Sequence, residues 1–470
     1  MQGNEIMRLF LFVTLTLAHA HLASAQWDFV RVDDGTKPAL ALGPDCTAEV
    51  SYMLERNDGY VRHASIPPGS LPSIAKVAEG YFYGPLDVTT SASGDVYINY
   101  HDHDVEDQIV AVRSDNAWTL LRVMDAGHDG WDNSLVVTDD GVIHTSSVDP
   151  SGFGGRGVEY ARRNAVGTWN VEPVGSPPIM YANATSLVIK PDGEPAIAYF
   201  NDTARDLELA ERSDGLWSIS VVDSIGSVGR FPSLAQDAAG DLHVAYYQPL
   251  SPDVGVIRYA RRNGGTWAIA DVDTLTNVRL GTTGARRNVA LEIDGDNAAH
   301  LVYGDRSVVR YTHGTPGNWA YQTVVDETAT QTVLGQQVDM ARCAGDGTAH
   351  LVYYELDASG LGGTIWYARP GTPVGVAEEP APDAFRVAVY PNPSPGDVTL
   401  HVAGELASRN GVFTITVVDV LGRSVLSQKM KTVPVLDLRI PMRGLASGMY
   451  IVQVQVGDRK HASSFVMARR

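Results

Sequence analysis

Two histidines and two carboxylates stand in a single run, His101-Asp102-His103-Asp104. Imidazole nitrogen and carboxylate oxygen suit Zn²⁺ or Ca²⁺, and a histidine titrating near neutrality can act as a general base. In an extended segment adjacent side chains point to opposite sides, and no second cluster occurs at ligand spacing. No metal and no cofactor is therefore expected. Other residues able to do chemistry are scattered: Tyr83, Trp131, Tyr181, Asn183, Arg230, Arg286, Arg287 and Gln337. Rings beside guanidinium and amide groups are the materials of a carbohydrate or anionic-ligand site. Solvated loops carry the same residues, so the framework that positions them decides whether they form a site.

That framework is a repeat. Pro232-Ser233-Leu234-Ala235, then Gly240 to Tyr247, then Arg258-Tyr259-Ala260-Arg261-Arg262, then Thr266-Trp267 recur with variation. Trp118, Trp169, Trp217, Trp267 and Trp319 mark copies spaced by 48 to 52 residues. A period near fifty with several short strands per copy is the signature of a β-propeller. The second strand of each copy, from Val50-Ser51-Tyr52 to Leu351-Val352-Tyr353, occurs seven times. The seventh copy lacks its outer-strand tryptophan, and Trp27 to Asp33 matches Trp217 to Asp223. Pairing the first strand into the last blade would close the ring and remove its exposed edge. The 46 Gly and 25 Pro supply turns for many strands, and a hydrophobic fraction of 44% fills a ring of packed sheets.

On such a ring the loops joining second to third strands, and those joining blades, emerge at one end. Asp140-Gly141, Asp192-Gly193, Asp294-Gly295 and Asp346-Gly347 belong to the other, structural end. Tyr83, His101, His103, Trp131, Tyr181, Asn183, Arg230, Arg286, Arg287 and Gln337 fall on the loop-bearing end, with Tyr81, Asn133, Asp102, Asp104, Asn201, Asp305 and Glu355. The two cysteines, Cys46 and Cys343, fall in neighbouring blades across the closure, where a disulfide would staple the seam; two free thiols are the alternative.

Arg8, the apolar run Leu9 to Leu17 and Ala23-Ser24-Ala25 read as a secretory signal peptide over residues 1–25. The propeller is expected over 26–369 and a Pro-rich linker over 370–386. Val387 to Arg470 carries ten basic and five acidic residues, a balance of +5, and residues 1–25 balance to zero, so the total of −19 puts −24 on Gln26 to Arg386. So acidic a surface repels phosphate backbones and excludes nucleic acid as a partner. No later run is long enough for a transmembrane segment.

The tail begins Tyr390-Pro391-Asn392-Pro393, continues through Phe413 to Asp419 and Leu421-Gly422-Arg423, and ends with Gly448-Met449-Tyr450 to Val454. This order over 387–470 resembles the type A C-terminal sorting domain of the type IX secretion system of Bacteroidetes-like bacteria. The resemblance implies an immunoglobulin-like β-sandwich, with Tyr390, Pro391, Asn392, Pro393, Gly448 and Tyr450 as its sorting motif. It also implies contact with the secretion machinery and a place on the outer surface or in the medium.

The propeller copies resemble sialidase-type (BNR-like) repeats. Arg230-Phe231-Pro232 is similar to the arginine motif that opens sialidase propellers, but the Asp-box survives only as fragments such as Asn164 to Trp169. The repeat also resembles that of seven-bladed polysaccharide lyases, which implies a His/Tyr acid–base pair and a cation that stabilises an enolate-like transition state. His101 or His103, Tyr181 and Arg230 or Arg286 would fill those roles, without a residue-by-residue match. The reading is an all-β secreted protein, a seven-bladed propeller followed by a sandwich. It is expected to bind extracellular glycan or protein without turnover; a lyase or glycosidase acting on acidic polysaccharide is the alternative.

Overall fold

The computed structural model describes residues 27–371 and 386–467, apart from 55–58, 124–129, 150–156, 165, 176–184, 279–287, 328–332, 357–361, 391–396, 404–411, 420–422, 432–434, 443–444 and 457–458. The chain divides into two compact units, Met1–Thr372 and Pro373–Arg470.

The described residues of the first unit form seven four-stranded antiparallel sheets, a β-propeller. Their innermost strands are Thr36–Leu42, Phe82–Thr90, Trp131–Val137, Ser186–Ile189, Arg230–Gln236, Val289–Ile293 and Leu334–Arg342. Each packs against the innermost strand of the next sheet, and the last packs against the first, so the sheets form a cycle. Inner and second strands join through hairpins of one design, in which the amide of Gly43, Ser91, Thr138, Lys190, Asp237, Asp294 or Cys343 donates to a carbonyl four or five residues on. The second strands lie between neighbouring sheets and are buried on both faces; Leu242 to Gln248 is buried throughout.

Three devices hold the blades together. Side chains at one position of the inner strand accept from the amide of the next inner strand: Asp87 from Leu135 (2.8 Å), Ser134 from Leu187 (3.3 Å), Ser186 from Leu234 (2.9 Å), Ser233 from Leu291 (3.0 Å) and Asp339 from Leu40 (2.9 Å). Blades one and six carry Ala39 and Ala290 there, and the amides they leave, of Val88 and Met340, are taken by the second oxygens of Asp87 and Asp339. Each buried donor thus finds an acceptor.

The second device is aromatic. Trp118 packs edge-on against His63 of the preceding blade, Trp217 against Tyr160, Trp319 against Tyr259 and Trp27 against Tyr311, with centroids 5.3 to 5.6 Å apart. These three tyrosines, with Tyr367, bond a histidine beside the hairpins that join inner and second strands: Tyr160 with His144, Tyr259 with His243, Tyr311 with His300 and Tyr367 with His350, at 2.5 to 2.6 Å.

The third is ring closure. Trp27–Asp34 pairs antiparallel with Gly363–Pro370 and completes the seventh sheet. Across the same seam Cys46 and Cys343 form a disulfide, their Cα atoms 5.3 Å apart.

The second unit is a β-sandwich. Arg386–Tyr390, Val398–Ala403 and Val435–Ile440 form one sheet; Ser424–Lys431, Val412–Asp419, Gly448–Val456 and Arg459–Met467 form the other. Alternation sends Val398 and Leu400 from the first sheet, and Ile415, Val417, Val452 and Val454 from the second, into one fully buried core.

Candidate functional site

The loop-bearing end of the ring begins at a repeated bulge. Pairing between inner and second strands slips after Thr36, Tyr83, Trp131 and Arg230. The residue after each slip turns left-handed: Lys37 (φ 55°), Gly84 (79°), Asp132 (50°) and Phe231 (54°). Three of these four are not glycine, and each such position costs about 1 kcal/mol or more. The bulge bends the strand and re-aims the residues before it. The chain reaches two of the bulges through glycines that let it press on the preceding blade. A Cβ on Gly130 would sit 2.8 Å from the Gln108 Cα, and one on Gly229 would sit 2.7 Å from the Leu207 Cα.

In blade two the loop His101 to Asp107 folds back on the segment joining blades one and two. The His103 amide donates to the Tyr81 carbonyl (2.8 Å), and the Asp104 carboxylate accepts from the Tyr81 amide (2.9 Å). Asp102 accepts from the Asp104 amide (3.1 Å). Both aspartates of the run therefore shape the loop, and burial raises the Asp102 carboxyl above its ordinary range. His101 and His103, two apart, share a side, with ring centroids 5.8 Å apart. His101 is fully buried, and the Trp131 ring tilts over it at 4.9 Å. The backbone of Tyr83 pairs directly opposite His101. Tyr81, 54% exposed, sets its ring edge-on to His103 at 4.8 Å.

Sequence reasoning missed one participant, Glu106. Its carboxylate lies 3.1 Å from His103 Nδ1 and 3.6 Å from His101 Nε2. Glu106 reaches them because it is left-handed, φ 54°, and Arg205 takes the same conformation, φ 64°, in blade four. There the corresponding loop, Phe200 to Asp206, carries Phe200, Asp202 and Arg205 where blade two has His101, His103 and Glu106. The turn is common architecture, whereas the three donors belong to blade two. A turn that swings the fifth residue past His101 back toward it is the signal that could have revealed Glu106.

The other expected residues do not join this cluster. Arg230 opens the inner strand of blade five with its guanidinium over the Phe200 ring, 5.3 Å from the centroid. Gln337 is buried, and its amide donates to the Pro38 carbonyl across the seam (3.2 Å); Asn133 likewise donates to Pro85 (3.3 Å) and Gly130 (2.9 Å). Asn201 and Asp305 accept from amides of their own loops. Tyr181, Asn183, Arg286 and Arg287 lie outside the described residues, as do Pro391, Asn392 and Pro393. Tyr390 ends a strand of the sandwich; Tyr450 is buried in it, its hydroxyl donating to the Ala446 carbonyl (3.0 Å).

Residues 388–468 match the model of the secretion system C-terminal sorting domain. The tail is a sorting domain. The protein is accordingly exported by type IX secretion, to the cell surface or into the medium, and no helix among the described residues is long and apolar enough to cross a membrane. No curated protein matches the chain. Among solved structures the chain is similar to a polysaccharide lyase, an ulvan lyase bound to GlcA(1-4)Rha3S, at 13% identity and TM-score 0.51, covering 73% of this chain and 96% of that one. It is also similar to the SapL1 lectin in complex with alpha methyl fucoside, at 13% identity and TM-score 0.43, covering 63% and 97%. A third is the Hadza microbial sialidase Hz136, at 14% identity and TM-score 0.38, covering 69% and 74%. At 13% identity the likeness to the lyase shows the fold alone.

Proposed function

We propose that this exported propeller is a non-catalytic module that binds an extracellular glycan where Tyr81, His101, His103 and Trp131 meet. One observation carries the reading. Two imidazoles on a blade-two turn, which blade four fills with other residue types, meet an exposed phenol from the segment before that blade and an indole from the strand that opens blade three. Flat rings give a sugar its apolar contact, and imidazole and carboxylate edges take its hydroxyls. Asp104 and the Tyr81 backbone hold the loop in place, so little ordering is needed on binding.

Delivery fits this role. We read Met1–Ala25 as a signal peptide removed before Gln26, residues 26–369 as the propeller, 370–386 as a linker, and Val387–Arg470 as a type A sorting module recognised by the secretion machinery. A lyase acting on an acidic polysaccharide would need a cation beside the base; Arg122, whose guanidinium is close enough to act on the Asp102 carboxyl next to His101, is engaged by Asp107. The test is co-sedimentation with insoluble polysaccharides. The protein should pellet with at least one, and Tyr81→Ala should weaken that binding about tenfold, the equivalent of 1.4 kcal/mol. Retention unchanged by Tyr81→Ala would remove the site from the function.

A further inference from the structure

We propose that His101, His103 and Glu106 form a binding site for a divalent transition ion of the zinc class. Their ligand atoms all lie within 4.8 Å of one another, the only such group among the described residues. A tetrahedral ion with bonds of about 2.0 to 2.2 Å sets its ligands roughly 3.4 Å apart. Glu106 Oε1 lies 3.1 Å from His103 Nδ1 and Oε2 lies 3.6 Å from His101 Nε2, so the carboxylate faces both nitrogens, and rotation of the partly exposed His103 and Glu106 side chains would draw the three donors onto such edges. Two imidazoles and one carboxylate suit zinc better than calcium, which takes six to eight oxygens.

Access and surroundings agree. His101 is buried, whereas the His103 and Glu106 side chains are 36% and 31% exposed, so an ion comes in from the solvent side. Three protein ligands leave a fourth position open, the mark of a site that takes an exogenous ligand. The Trp131 and Tyr81 rings wall the histidines, and Asp102 and Asp104 are spent on the loop backbone. The donors are therefore held on a loop whose shape does not depend on the ion. The metal assignment stands on these donors; that the open position takes an oxygen of the bound polymer rests on the binding reading above.

The experiment uses tag-free full chain stripped with EDTA and titrated with Zn²⁺ by calorimetry, and with Co²⁺ by visible absorption. One ion per chain is expected, with the intense d–d bands of four-coordinate cobalt. His103→Ala and Glu106→Gln, at half-exposed positions that leave the near-ultraviolet circular dichroism unchanged, should each weaken Zn²⁺ about 100-fold or more; Asp192→Asn on the opposite end should bind as the parent does. Absence of stoichiometric binding, or equal affinity in His103→Ala and Glu106→Gln, would overturn the site. Polysaccharide sedimentation with and without EDTA separates the two proposals. Binding lost in EDTA and restored by Zn²⁺ supports the polymer as fourth ligand. Stoichiometric Zn²⁺ with EDTA-insensitive polymer binding overturns that role and leaves the metal site. Polymer binding without any Zn²⁺ uptake overturns the metal site and leaves the binding reading.

Discussion

Replacing Cys46 and Cys343 together by serine opens the covalent seam of the ring while leaving its β closure intact. The disulfide spans 297 residues of sequence. The chain-entropy relation gives about 5 to 6 kcal/mol lost from the unfolded state for a loop of that size. The unfolding entropy of the unit over residues 27–371 is about 2.1 cal/mol/K per residue, so this stabilisation corresponds to a Tm difference of roughly 8 °C. The assay is scanning calorimetry of the propeller unit at pH 7, for the parent and the double serine variant, with reductant added to the parent as an independent arm. Both perturbations should lower Tm by similar amounts and leave the far-ultraviolet spectrum unchanged. A fall below about 2 °C in both arms would refute the reasoning: the first strand and the Asp339–Leu40 hydrogen bond would then hold the seam unaided.

Other elements make separate claims. Burial, with Arg162 and Arg369 nearby, holds the His144 and His350 imidazoles down to about 4 from an ordinary value of 6.5. As pH falls from 6.5 to 4 the unfolded chain takes up protons that the folded one refuses, so about 3 kcal/mol per histidine is lost over that window. Urea midpoints at pH 7 and 4.5 should show the drop, and His144→Gln should shrink it; a midpoint independent of pH would contradict this. Deleting residues 27–34 removes the outer strand of the seventh sheet and the Trp27 contact with Tyr311, and should cause aggregation that light scattering detects. Asp87→Ala strips acceptors from two amides, of Leu135 and Val88, and should cost about 2 to 4 kcal/mol in urea unfolding. Deleting Val387–Arg470 should leave a folded propeller in the periplasm of the native host; its recovery at the surface or in the medium would contradict the sorting role.

The fold was legible because its signals repeat. The recurring strand phrases, the seven second strands and the tryptophan spacing each reported the same period, and the Trp27 segment read as the strand the seventh sheet lacked. The hairpin histidines carried no such clarity: nothing in the repeat showed that His144, His243, His300 and His350 are each bonded to a tyrosine in the blade packing. The site was harder for the same reason. Whether Asn133, Gln337, Asp102 or Asp104 recognises a ligand depends on which backbone groups need a partner, and only the folded loops show that those side chains are consumed there. Strand alternation separates Asp102 from the histidines but keeps His101 and His103 on one side. Glu106 stayed hidden because its place is set by a left-handed turn at a residue that is not glycine.

The most direct measurement of the binding reading is calorimetric titration of the purified full chain with soluble acidic and neutral polysaccharides, while ultraviolet absorbance of the same mixtures is followed for unsaturated uronic acid. Saturable binding to at least one polymer is predicted, weakened about tenfold or more by Tyr81→Ala and by His103→Ala, unaffected by Arg230→Ala on blade five, with flat absorbance throughout. Rising absorbance that His103→Ala abolishes would make the protein a lyase, and affinity that depends on Arg230 but not on Tyr81 or His103 would place the ligand elsewhere on the ring.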